Sequence, residues 1–141
     1  KGISVLCNKD ARNRNTRRSE QLSEENTMRT EHIDNMKGGW FVGDFDPVAF
    51  HSKLFEVGYK EFKKDEPHQD HYHKEGTEIN LVAYGRVEFN GVSFGEGSIV
   101  IIEPGEVTKT KFLEDSGIFV AKTPSLPNDK YVLPDNVENK K

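Results

Sequence analysis

The chain has 141 residues, 33% of them hydrophobic, with a mean hydropathy of -0.77 and a formal net charge of -4. That is enough for one domain with a modest core, and its charge balance gives no reason to expect nucleic acid or an anionic membrane surface as partner. No apolar run approaches a membrane span, and the lone Cys7 allows neither an intrachain disulfide nor a cysteine-built zinc site, so the expected setting is the cytoplasm.

Residues 1–37 contain no aromatic residue and read as a flexible polar N-terminal arm. Four arginines lie between Arg12 and Arg18 without interleaved aromatics, the mark of a solvated stretch rather than a nucleic-acid contact. From Gly38 the pattern is β. "GWFVGDF" (39–45) is a short aromatic strand, and "DPVAFHSK" (46–53) has room for one helical turn. In "KLFEVGYKEF" (53–62), Phe55, Val57 and Tyr59 alternate with Glu56, Gly58 and Lys60, which predicts a strand with the apolar set buried. "EINLVAYG" (78–85) is a further strand, and "RVEFNGVSF" (86–94) is a hairpin turning at Asn90-Gly91. "SIVIIEPG" (98–105) reads as a strand buried on both faces; "TKTKF" (108–112) and "GIFVAK" (117–122) complete the set. The stretch 125–141, rich in proline and ending in "ENKK", is expected to be an extended C-terminal tail. Short strands, close turns and no helix of useful length predict an all-β barrel or sandwich over residues 38–124.

The chemistry concentrates in "HQDHYHKEGTE" (68–78), which holds three of the chain's five histidines. On a strand His71 and His73 project to one face, with backbones about 7 Å apart, and Tyr72 to the other. Gly76 allows a bend into the next strand, whose first carboxylate is Glu78. Two imidazoles and a carboxylate form a three-ligand face suited to Fe, Mn, Ni or Zn, with positions left for water or substrate. A metal-free polar pocket and a chance surface cluster are the two duller readings of the same residues.

"HYHKEGTEINLVAYG" resembles the first motif of the cupin superfamily, His-x-His, four residues, Glu, six residues, Gly, matched at His71, His73, Glu78 and Gly85. "GSIVIIEPGEVTKTKF" (97–112) resembles the second motif at Gly97 and Gly105, but Thr108 stands where that motif has a metal-binding histidine. The resemblance implies a double-stranded β-helix, or jelly-roll, barrel with a divalent transition metal on His71, His73 and Glu78 and one ligand missing. Thr108, Tyr59, Asn80, Tyr84 and His68 are the candidate pocket residues. A one-residue slip would instead bring Lys109 and Lys111 inside, where they would hold an anion. The function this implies is a metal-dependent enzyme acting on a small polar molecule; the alternative is a non-catalytic ligand-binding or interaction module. A homodimer is expected, with "GWFVGDF" as the segment exchanged between barrels.

Overall fold

A computed structural model describes residues 28–134. The arginine-rich stretch and the rest of the arm up to residue 27, like the end of the tail from residue 135, lie outside the described residues. Two 3-10 turns, Ile33–Asn35 and Lys37–Gly39, precede the strands β1 (Trp40–Gly43), β2 (Phe50–His51), β3 (Glu56–Phe62), β4 (His71–His73), β5 (Thr77–Tyr84), β6 (Arg86–Phe89), β7 (Val92–Gly95), β8 (Ile99–Ile102), β9 (Thr110–Phe112), β10 (Ser116–Thr123) and β11 (Lys130–Val132). The strands form a six-stranded sheet in the order β2-β1-β3-β10-β5-β8, a three-stranded sheet β7-β6-β9 and a ribbon β11-β4. The helical turn expected at 46–53 does not form; Phe50 and His51 pair in parallel with Val42 and Gly43 instead. β1 itself pairs antiparallel with β3 of its own chain.

The Asn90-Gly91 turn forms as its residues predict. Both have positive φ, 49° and 83°, and they join Phe89 to Val92 across the hairpin. Val82, Val87, Phe89, Phe112 and Ile118 are the buried core, with Phe62, Phe94 and Val100 packed against it. Phe62 stacks on Phe112 with centroids 4.1 Å apart.

Register decides which face of each strand is inside, because residues directly opposite share a face. Lys60 faces Ile118 and Gly58 faces Val120, and both partners are buried. Glu56, Gly58, Lys60 and Phe62 therefore form the inner face of β3, and Val57 and Tyr59 the outer one. This reverses the face expected from hydrophobicity: Glu56 is 2% exposed while Phe55 is 38% exposed. The inner row runs Glu56–Lys122–Glu78 across three strands, and the matching outer row runs Tyr59–Phe119–Leu81–Ile99. The apolar run of β8 is likewise buried on one face only, Ile102 inside and Ile99 and Ile101 outside, on the same outer face that leaves Leu81 and Phe119 of the neighbouring strands exposed.

The stretch beyond residue 124 is part of the barrel as far as it is described. β11 pairs with β4 at His71↔Val132, Tyr72↔Tyr131 and His73↔Lys130, and Ser125 and Asp129 are buried. No helix among the described residues is long and apolar enough to cross a membrane.

Candidate metal centre

β4 is the element that aims the histidines. Alternation turns His71 and His73 inward, where both are buried, and Tyr72 outward to stack on Tyr131. The strand is held on one side by β11 and on the other by Thr108, which exchanges two backbone hydrogen bonds with His71. The chain then turns through Lys74, Glu75 and Gly76, whose N–H groups all donate to the Asp129 carboxylate, the shortest at 2.8 Å from Gly76. That turn delivers Glu78 to the first inward position of β5.

Hydrogen bonds fix the ring orientations. Nδ1 of His73 lies 2.9 Å from the Asp129 carbonyl, and Nδ1 of His71 lies 3.0 Å from the Gln69 carbonyl. A carbonyl only accepts, so each Nδ1 carries the proton and each Nε2 is left for the cavity. Nε2 of His73 stands 2.9 Å from Oε2 of Glu78, whose other oxygen accepts a 3.0 Å hydrogen bond from the Asn80 amide. With Nδ1–H already committed, this contact requires a cation between ring and carboxylate: a second ring proton, or a metal ion. Burial by itself raises the Glu78 carboxyl, but the hydrogen bonds from His73 and Asn80 outweigh it and bring it down to about 2. One donor atom from each of His71, His73 and Glu78 lies within 4.8 Å of the other two. Two imidazoles with Nε2 turned inward and an ionised carboxylate fit a divalent transition ion.

These ligands line a cavity of about 460 Å³, within the size range of small-molecule sites. His68, Asn80 and Thr108 line it too. Thr108 is 3% exposed and directly opposite His71, so its side chain shares that face, while Lys109 and Lys111 point to solvent. His68 packs edge-on against His71 and Phe112, and burial, then His71 and Lys130, lower its pKa to about 4. Two expected pocket residues lie elsewhere. Tyr59 is on the outer face of β3, its ring tilted against Phe119 with centroids 4.8 Å apart and its hydroxyl donating to Glu61 at 3.0 Å. Tyr84 is exposed because the pairing of β5 with β10 skips Ala83, a bulge that inverts the alternation.

Sequence reasoning missed Asp129, Glu56, Lys60 and Lys122, and Trp40, which reads from sequence as a core anchor, lines the cavity. Asp129 acts on residues 53 to 56 positions away, with no local signal to mark it. The lysines and Glu56 belong to alternating strands whose patterns were legible, but alternation alone does not say which set faces inward.

No family model matches the sequence, and no curated protein does. Solved structures do match. One is an uncharacterised Klebsiella pneumoniae protein with a double-stranded β-helix domain, at TM-score 0.57 and 17% identity, covering 75% of this chain and 92% of that one. The fold is the cupin double-stranded β-helix. The bacterial pirin YhhW from Escherichia coli, in complex with nickel(II), matches at TM-score 0.52 and 19% identity over 62% of this chain and 39% of its own. Pac13 of Streptomyces, a nucleoside dehydratase solved with uridine, matches at TM-score 0.57 and 12% identity over 77% and 92%.

Proposed function

We propose that this cupin barrel is a metal-dependent enzyme acting on a small polar molecule, with His71, His73 and Glu78 as the protein ligands. The observation that carries the reading is the convergence of three buried donors, one atom of each within 4.8 Å of the other two, in the wall of one cavity. His71, His73 and Glu78 would hold a divalent transition ion, which would supply Lewis acidity toward a substrate oxygen or a bound water. Three protein ligands leave positions for that chemistry; a fourth would close one of them, and Thr108 stands where it would come from. A barrel of the same fold bound to nickel, in YhhW, supports a transition metal here.

The chain's own groups divide the remaining tasks. Glu78 supplies charge and is kept ionised by Asn80 and His73. Asp129 and Gln69 hold the rings through their carbonyls. His68 lines the cavity next to His71, where its ring is placed to hydrogen-bond a substrate. Loading the metal-free protein separately with Fe(II), Mn(II), Ni(II) and Zn(II), then screening for turnover of small hydroxy and carbonyl compounds, tests the reading. Stoichiometric loading with turnover that His68→Asn reduces is the expected result; failure of all four ions to bind contradicts it.

A further inference from the structure

One charged side chain in the cavity is used by neither the core nor the metal ligands. Lys60 enters from the inner face of β3, and its ammonium stands 4.6 Å from the centre of the Trp40 ring. Trp40 lies directly on Gly58, where a Cβ would meet its Cε3 at 2.9 Å, so the absence of a side chain at 58 makes room for the indole. A second ammonium, that of Lys122, approaches the same ring at 4.8 Å.

The two lysines are not equivalent. Lys122 is paired with Glu56 Oε2 at 3.0 Å, and Glu56 Oε1 accepts the Ser125 hydroxyl at 3.2 Å, so both oxygens of that carboxylate are engaged. Glu78 is engaged by His73 and Asn80. Among the described residues Lys60 has no ion pair and no side-chain hydrogen bond; its contact is the face of Trp40. Burial first, then Lys130 and Lys122, disfavour its charge and outweigh Glu78 and Glu56, which favour it. Glu56 is taken up by Lys122, and Glu78 by His73 and Asn80, so neither forms an ion pair with Lys60. With exposed Lys37 and Lys130 the lining holds four lysines against the three carboxylates of Asp46, Glu56 and Glu78, an excess of positive charge that needs no metal ion. The remaining wall is apolar, chiefly Phe62, Phe89, Phe112, Ile118 and Val120.

We propose that the ligand of this barrel is a small organic oxyanion, a carboxylate or phosphate ester on an apolar body, whose charged head is received by Lys60 beside the Trp40 indole. This deepens the metal-site reading and rests on it only for the ligand's orientation, its other end lying toward His71, His73 and Glu78. The oxyanion supplies the counter-charge Lys60 lacks, and the body covers the phenylalanine wall.

Trp40 is the chain's single tryptophan, so its fluorescence reports on this site. Benzoate, phenyl phosphate and, as the neutral analogue, benzyl alcohol are titrated into the full chain, once loaded with nickel and once metal-free. At least one of the two oxyanions should change Trp40 emission saturably in both states, and whichever does so identifies the head group; benzyl alcohol should bind about ten-fold more weakly or not at all. Lys60→Met should weaken oxyanion binding by at least about ten-fold, equivalent to 1.4 kcal/mol, while Lys60→Arg keeps it within a few-fold. Lys60→Gln, a neutral polar replacement, gives the same comparison should the methionine variant not fold. The proposal is overturned if a folded neutral variant, melting as wild type does, binds the oxyanion with unchanged Kd, or if neither oxyanion binds the wild type. Oxyanion binding in a chain that takes up no nickel would overturn the metal reading and leave this one standing.

Discussion

Nε2 of His73 and Oε2 of Glu78 stand 2.9 Å apart although they belong to different strands, β4 and β5. At that distance the two groups share a proton or would both bind one metal ion. The turn at residues 74–76, anchored on Asp129, links β4 to β5 and so brings the two side chains together.

Thr108→His should complete a four-ligand set. Thr108 is opposite His71 in a hydrogen-bonded bridge and faces the cavity, so an imidazole there reaches the same ion. Metal affinity measured by chelator competition should rise about ten- to a thousand-fold. Turnover that needs the open position should fall. Unchanged affinity in a folded variant would mean position 108 does not reach the ion.

Asp129→Ala removes the acceptor for three backbone N–H groups and loosens the carbonyl that holds His73. Donors left without partners on this scale cost roughly 2–3 kcal/mol. Chemical denaturation should show that loss, and metal affinity should drop about ten- to a hundred-fold with the ligand set intact. A stable variant with normal affinity would show that Asp129 only decorates the turn.

The first motif was legible because its geometry is local. His71, His73 and Glu78 are brought together by one strand, one turn and one strand onset, all readable from spacing and Gly76. The Asn90-Gly91 hairpin was legible for the same reason. What the sequence hid is what only register decides. Glu56 and Lys60 lie inside and Tyr59 outside because β3 is locked opposite Ile118 and Val120 of β10, and the usual assumption that the apolar set faces inward picks the wrong side. Ile99 and Ile101 are exposed although they belong to a continuous apolar run, because such a run carries no sign that one face of its sheet is left uncovered. Asp129 was hidden by sequence distance, lying in a stretch whose prolines suggested a loose tail.

The Glu56–Lys122 pair should be costly to break and cheap to replace. Their side chains are 3% and 12% exposed, so Lys122→Met leaves a buried carboxylate without its cation and should destabilise by roughly 3 kcal/mol. Glu56→Gln together with Lys122→Met should recover most of that loss. A double variant no more stable than the single one would show that the ammonium acts through Trp40 instead.

Acidification should weaken the metal-free protein in two steps. His68 has a folded pKa of about 4 against an ordinary 6.5, so between those values the unfolded chain binds a proton that the folded one does not, and stability falls as pH falls. Burial lowers His71 as well, acting in the same direction. Discounted for the partial exposure of the His68 ring, the loss from pH 7 to pH 5 is about 1 kcal/mol, read from urea midpoints. Glu78 adds a second loss between its ordinary 4.5 and about 2, because its folded form stays ionised there and its unfolded form does not. His68→Asn should flatten the first step and leave the second; equal slopes in both proteins would assign the first step elsewhere.

Elemental analysis of the purified full chain beside His73→Ala decides whether His71, His73 and Glu78 hold one metal ion. After loading with an excess of transition metal and removal of the free ion, the wild type should retain about one ion per chain and a folded His73→Ala variant little or none. Equal metal in the two proteins, or none in the wild type with any of Fe, Mn, Ni and Zn, would contradict the assignment.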